Sequence, residues 1–303
     1  MAPLRKDIWR VGLLQAPAET LMAPERLAAA PVRWLPDEGP LRFLADPFGL
    51  WREGRLNLFV ESYDYRDRTG RIDLLVLDAE LQLLSRETAL REPWHLSYPF
   101  LVETAEGVHM LPEAHRAGRL KLYRAEDFPR RWRAVAELKL DATPIDPTAV
   151  FHDGLWWLFY TPATTRQAKV GELHAAFAER LEGPWRPHAG NPVRRDTGSA
   201  RPGGTPFHAG GRLVLPVQDC RRTYGGAIRP LIIDELTPTS FAAQAGPVVR
   251  PPASFAPHTA GLHTWSAAGP VTLLDAKRRV LTPESLALDL GRAARRLSGA
   301  GRP

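Results

Sequence analysis

The sequence predicts an all-β fold, a five-bladed β-propeller with one short C-terminal helix. A hairpin unit at residues 43–61 recurs in altered form four more times, its anchors fall at a blade-like period, and an apolar strand is left over before the first unit. The first unit reads as strand, turn, strand. Asp46 to Trp51 runs into Glu53-Gly54, and an alternating apolar run to Val60 follows. With residues 53 and 54 as the turn, paired residue numbers sum to 107, which sets Asp46 opposite Glu61.

The echoes are Tyr98-Pro99-Phe100 before Gly107 to Glu113, Asp146-Pro147 before Asp153 to Tyr160, Ala200-Arg201-Pro202 before Gly210 to Pro216, and Gly261-Leu262-His263 before Val271 to Asp275. The anchors 46, 98, 146, 201 and 263 step by 52, 48, 55 and 62. A four-stranded blade with its loops needs roughly 40 to 50 residues, so residues 1–303 read as one propeller domain with five blades.

The remaining elements follow in order. Ile8 to Leu14 is a strand ahead of the first hairpin, and in a closed propeller such a strand joins the last blade and removes two exposed sheet edges. Pro17 to Pro31 is Ala-rich and suits a short helix. In blade one a third strand spans Arg71 to Leu77, with a fourth near Leu81 to Leu84. Blade two ends in Arg119 to Tyr123 and a turn at Phe128-Pro129, and blade three adds Glu172 to Phe177 and a turn near Leu181 to Trp185. Blade four carries Tyr224 to Arg229 and Leu231 to Ile233. Thr282 is an N-cap candidate with Pro283 at the first helical position, so residues 283 to about 297 form the helix, with a frayed tail beyond it.

Composition narrows the function classes. The 44% hydrophobic content supports a sizeable core. The net charge of +6 rests on 40 basic against 34 acidic residues, with no Lys/Arg block long enough for a nucleic-acid arm, so no nucleic-acid partner is expected. One cysteine, Cys220, excludes an internal disulfide and a Cys-based zinc cluster, and the nine histidines show no paired metal spacing. No metal and no cofactor are therefore expected. The N-terminus lacks an uninterrupted apolar segment and nothing approaches a membrane span, so the expected location is cytoplasmic.

In a propeller the first strand of each blade lines the central channel, so the five anchors Asp46, Tyr98, Asp146, Arg201 and His263 converge. Glu61 and Glu113 follow their anchors by fifteen residues and arrive at the same end. Carboxylates desolvated near one another cost free energy unless paired, and their pKa values are pushed apart, which divides acid from base. One Asp-Pro before a strand is ordinary turn chemistry, whereas two at equivalent repeat positions point to a shared site. Glu113 reads as a solvated strand end, as a carboxylate held ionised by Arg116 or Arg201, or as an acid. Asp46, Glu113 and Asp146 are the catalytic candidates. Arg201, Tyr98, His263, Glu61 and His95 are the substrate-binding candidates, with Arg201 expected to take an anionic group of the substrate or to pair with Glu113 or Asp146.

Asp46-Pro47, Asp146-Pro147 and the hairpins between them resemble the five-bladed propeller glycosidases, both family 43 and the invertase and levansucrase-like families. More closely, Arg42 to Phe48, Tyr98-Pro99-Phe100, Leu111-Pro112-Glu113, Ile145 to Thr148, Ala200 to Gly204 and Gly261 to Thr264 resemble the N-terminal domain of plant glucosamine inositolphosphorylceramide transferases and its stand-alone bacterial relatives, over about residues 8 to 280. The glycosidase resemblance implies Asp46 as general base or nucleophile and Asp146 as the residue that orients substrate and tunes the acid. The family-43 acid of the fourth blade is absent, because Ala200-Arg201-Pro202 stands there, and Glu113 is the nearest substitute. Two classes of function follow. One is glycosyl-bond chemistry, hydrolysis or transfer, on a carbohydrate or glycoconjugate, in polysaccharide or glycoconjugate biosynthesis. The other is a non-catalytic carbohydrate-binding propeller.

Overall fold

The computed structural model describes residues 5–297. The tail expected after the helix lies outside the described residues. Five antiparallel sheets follow one another around a central channel. The first contains Arg42–Arg52, Arg55–Asp64, Thr69–Leu77 and Leu83–Leu90, and the second Ser97–Thr104, Gly107–Glu113, Leu120–Asp127 and Arg131–Leu138. In the third, Pro144–His152, Leu155–Pro162 and Glu172–Ala178 carry the short pieces Arg186–Pro187 and Arg194–Arg195 at the outer edge. The fourth is built on Arg212–Asp219, Ala227–Leu236 and Phe241–Ala245, with two short inner pieces, Arg201–Pro202 and Phe207–Ala209. The fifth orders Gly261–Ala268, Val271–Val280, Lys6–Leu14 and Arg33–Trp34. The N-terminal strand thus pairs with Val271–Val280 over nine residues, from Lys6 opposite Val280 to Leu14 opposite Thr272.

Local chemistry explains the elements. Glu53 and Gly54 both have positive φ, as do Asp153 and Gly154, the geometry that a two-residue hairpin turn demands. The C-terminal helix Pro283–Leu297 starts with a reciprocal cap, in which Ser285 N–H donates to Thr282 Oγ1 and Thr282 N–H donates to Ser285 Oγ. Two short helices, Ala18–Leu21 and Pro24–Ala29, occupy the Ala-rich stretch. The blades pack through apolar clusters between neighbouring sheets. Phe48, Tyr98, Phe100 and Leu111 meet Leu158 and Tyr160 in one of them.

Several boundaries differ from the sequence reading. Arg131–Leu138 is a strand that its charged, half-exposed sequence conceals. Blade four has one long strand where two short ones were expected, because Pro230 sits opposite Pro216 and neither needs a partner for an N–H. The expected register also slips. Phe48 pairs with Phe59 as the sum of 107 requires, but Glu61 pairs with Ala45, and Asp46-Pro47 is squeezed into a bulge. The same bulge recurs between Ser97 and Phe100 and between Ile145 and Thr148. Proline fits there because a bulge leaves its missing N–H without consequence.

Blade four's inner strand is broken at Gly203-Gly204. Gly204 has φ +148°, and a Cβ there would lie 1.8 Å from the Trp265 carbonyl oxygen across the junction with blade five. Its N–H donates to the Tyr98 hydroxyl at 2.8 Å. Gly204→Ala is expected to destabilise the fold by about 2 kcal/mol or more, since strain and overpacking coincide. Thermal unfolding of the variant measures this, and an unchanged midpoint would refute the close approach.

Candidate active site

The bulges decide what reaches the funnel. Asp46, Tyr98 and Asp146, the three bulge residues before Pro47, Pro99 and Pro147, all have φ between 46° and 50°. A non-glycine residue in this region costs of order 1–3 kcal/mol and is held only by its surroundings. The holding bonds run between blades. Asp275 Oδ2 accepts the Asp46 N–H at 2.8 Å, Asp46 Oδ2 accepts the Tyr98 N–H at 3.1 Å, and Glu113 Oε2 accepts the Asp146 N–H at 3.1 Å. Asp146 in turn takes Arg201 at 2.7 Å and Gln218 at 2.8 Å. A chain of carboxylates therefore fastens blade five to one, one to two, two to three and three to four around the funnel floor.

A cavity of about 310 Å³ opens above this floor. Asp46, Glu61, His95, Glu113, Asp146, Arg201 and His263 all line it. Tyr98 does not. Its bulge turns the ring into the core beside Phe48, and its hydroxyl meets Thr148 at 2.9 Å, so Tyr98 is a structural residue and its place on the wall falls to Ser97. Arg201 is spent on Asp146. Its Nε and Nη2 grip both carboxylate oxygens, Nη1 donates to the Lys169 carbonyl at 2.8 Å, and Nη2 also reaches the Tyr224 hydroxyl at 3.4 Å. Of the two expectations for Arg201, the structure realises the pairing with Asp146.

The carboxyls differ in charge. Burial raises Asp46 to about 6, against an attraction to His263, whose Nε2 lies 3.5 Å from Asp46 Oδ1. Burial also lifts Glu61 well above the usual carboxylate range, and the nearby charges of Asp46 and Glu113 add to this. No side-chain hydrogen bond engages Glu61 among the described residues. Its nearest polar neighbour is His95 Nε2 at 3.6 Å, and burial holds His95 itself down to about 4. Glu113 is the reverse case. Burial alone would raise it, but the hydrogen bond from His115 Nδ1 at 2.5 Å and the charges of His115 and Arg201 bring it well below its usual range. Burial also pushes the Asp146 carboxyl up, and Arg201 opposes this.

Several site residues escaped the sequence reading. Trp9 stacks on His263 with ring centroids 3.7 Å apart, and Tyr224 stands edge-on to both. Phe43, Tyr63 and Tyr65 form an aromatic group in the neighbouring blade, in the same cluster as Trp9. Asp275 holds His263 Nδ1 at 2.7 Å and accepts the N–H groups of His263 and Thr264. Asp275 pairs with Thr264 just after the blade-five bulge, whereas Glu61 and Glu113 pair with the residues just before theirs, so the repeat did not point to it.

Two groups of potential metal ligands also arise from different strands, Asp46, His263 and Asp275, and Glu106, His109 and Glu182. In the first, both Asp275 oxygens are already occupied by N–H donors. Sequence spacing could reveal neither group.

Residues 34–277 match the family described as glucosamine inositolphosphorylceramide transferase 1, N-terminal. The chain belongs to this family. It is 37% identical over 212 residues to glucosamine inositolphosphorylceramide transferase 1 of Oryza sativa subsp. indica, which covers 68% of this chain and 28% of the relative. The Arabidopsis thaliana protein of the same name is 33% identical over 232 residues, covering 75% of this chain and 29% of that one. The chain thus spans less than a third of the length of these curated relatives.

Among solved structures, a glycosyl hydrolase from Bacteroides ovatus aligns at TM-score 0.56 and 12% identity, over 77% of this chain and 83% of that one. A family 117 glycoside hydrolase of Zobellia galactanivorans aligns at 0.53 and 12% identity, over 80% and 85%. These likenesses are of fold. They show the five-bladed propeller expected from the sequence. No helix among the described residues is long and apolar enough to cross a membrane.

Proposed function

We propose that the funnel acts on a glycosidic bond of a carbohydrate or glycoconjugate, by hydrolysis or transfer, with Asp46 as base and Glu61 as acid. The observation that carries this reading is Glu61. The other carboxyls of the floor are tied into bonds between or within blades, whereas Glu61 is buried, free of side-chain hydrogen bonds among the described residues, lines the cavity, and has its pKa raised by burial. A buried carboxyl with no structural partner costs stability, and a proton donor for a leaving oxygen is the use that offsets this. Glu113, the acid expected from sequence, is kept as a carboxylate by His115 and serves instead to hold Asp146. Asp146 orients through Arg201. Trp9, Tyr224 and the Phe43 group supply apolar ring faces of the kind that stack on sugars.

The relatives named as glucosamine inositolphosphorylceramide transferases support a glycoconjugate substrate. With the cytoplasmic location expected from sequence, the reading is assembly or salvage of such conjugates. A second reading, a binding propeller without turnover, is favoured by the carboxylate chain of the floor, which accounts for Asp46, Glu113 and Asp146 structurally. A panel of glycosides and nucleotide sugars screened for product decides. Product formation that Asp46→Asn abolishes supports the first reading, and saturable binding without turnover leaves the second.

Asp46 also sets a pH dependence. Its folded-state pKa of about 6 exceeds the ordinary 3.8, so the native protein holds this proton more tightly than the unfolded chain. Its contribution to stability is full below the ordinary value and is lost as pH rises through about 6. Activity that needs the Asp46 carboxylate climbs across the same interval. The pH–rate profile should therefore show an acid limb near 6, and a flat profile from pH 4 to 7 would remove Asp46 as base.

A further inference from the structure

Outside the funnel, sharing Asp7, Tyr63, Tyr65, Arg116 and Tyr224 with it, lies a wider vestibule of about 890 Å³. Seven cationic side chains line it against one carboxylate, Asp7. That carboxylate is already taken by Lys277 at 2.8 Å and Arg279 at 3.2 Å, and Lys6 is paired outside the vestibule with Asp289 at 2.7 Å. Arg5, Arg68, Arg116, Arg166 and Arg292 have no ion pair among the described residues. Arg116 and Arg292 do bond backbone carbonyls, of Arg68 and of Tyr65 and Arg66 respectively, which anchors them at the rim without neutralising them.

Clustered like charges raise each other's energy, and a concave, partly desolvated wall concentrates the resulting potential. Several arginines elsewhere on the surface are paired with carboxylates, whereas exposed ones such as Arg55 and Arg186 stand apart from one another in the chain. Arg86 meets Glu38 and Asp73, Arg130 meets Glu87, and Arg133 meets Glu126. What sets the vestibule apart is that five arginines without an ion pair among the described residues converge on one concave wall that adjoins the funnel.

We propose that the vestibule binds a phosphate-type anion carried by the same ligand whose sugar end enters the funnel. This rests on the glycan reading given above and names the substrate class more closely. Arg201 cannot play this part, because its donors are engaged by Asp146, Lys169 and Tyr224. The guanidinium groups of Arg68 and Arg166 carry no hydrogen bond or ion pair among the described residues, and a phosphate accepts such forks in pairs.

Titration calorimetry with a hexose 1-phosphate, the matching methyl hexoside, inorganic phosphate alone, and phosphatidylcholine vesicles containing phosphatidylinositol tests this. The sugar phosphate should bind at least about tenfold more tightly than the neutral glycoside at low salt, and the advantage should vanish near 1 M salt, where screening reaches about 3 Å. Arg68→Gln combined with Arg166→Gln should erase most of the advantage and leave the neutral glycoside's affinity unchanged. Arg131→Gln, which removes the same type of charge outside the vestibule, should change nothing.

Equal affinity of the wild-type protein for phosphorylated and neutral sugars overturns the proposal, as does an equal loss in the Arg131→Gln control. A neutral glycoside that fails to bind counts against the glycan reading alone. Phosphate binding that the double variant abolishes still supports the vestibule in that case. Vesicle binding through the same arginines identifies a lipid headgroup as the source of the anion, and binding of the soluble sugar phosphate without vesicle binding identifies a free ligand.

Discussion

Replacing Glu61 by Gln is expected to slow turnover of an unactivated glycoside by roughly 10² to 10⁴ while sparing an aryl glycoside whose leaving group departs unaided. The substitution keeps the shape and removes the group whose proton affinity burial raises. Asp46→Asn should slow both substrates, because the base acts whatever the leaving group. Glu113→Gln should behave differently again. It removes an acceptor charge from His115 and weakens the hold on the Asp146 N–H, so its main effect should be on stability. Steady-state kinetics on the two substrates, with unfolding midpoints for all three variants, separates these roles. Full activity of Glu61→Gln on the unactivated substrate would end the assignment of Glu61 as acid.

A second large effect is expected at Arg201. Arg201→Met leaves Asp146 buried with only Gln218 as a side-chain donor, and breaking a buried pair on one side costs about 3–5 kcal/mol. In a domain of this size that lowers the midpoint by on the order of 10 °C. The loss should shrink in acid, because an unpaired buried carboxyl takes up a proton and its penalty is felt only as pH rises through its elevated pKa. Calorimetry at pH 4 and pH 7 measures this. An equal loss at both would show that Arg201 acts through packing on Tyr224, 4.8 Å from its guanidinium, and not through charge.

The parts of the fold that were legible are those written in local chemistry. Glu53-Gly54 and Asp153-Gly154 announce their turns, and Thr282-Pro283 announces the helix, because each needs only a few adjacent residues. The blade order followed from X-Pro anchors that recur because the bulge tolerates proline. The bulge itself was not legible. Its extra residue turned Tyr98 away from the funnel and set Glu61 opposite Ala45, and nothing in alternating hydrophobicity reveals a one-residue slip.

The site divides similarly. Anchors on repeated strands could be counted from the sequence, whereas Asp275, on the far side of its bulge, could not. Trp9 and Tyr224 could not be counted, since one comes from the closing strand and the other from a loop in blade four. The protonation states lay furthest from the sequence. Glu61 and Glu113 hold equivalent places in consecutive blades, yet burial raises the pKa of Glu61 while the hydrogen bond and charge of His115 lower that of Glu113.

The pairing of Lys6–Leu14 with Val271–Val280 gives synthesis on the ribosome a fixed order of events. The first strand to emerge is the last to find its partner. At roughly 5 to 20 residues per second, it waits on the order of 15 to 50 s while the intervening chain is made. For that interval Ile8, Trp9, Val11, Leu13 and Leu14, all buried in the finished blade, have no sheet to enter. The nascent propeller is then a partial ring whose first strand still lacks its blade-five partner, a form open to pairing with a neighbouring nascent copy. Lys6, Asp7 and Arg10 interrupt that strand with charge. Arg10 finds the Leu35 carbonyl early, whereas Lys6 and Asp7 find Asp289 and Lys277 only once the ring is complete.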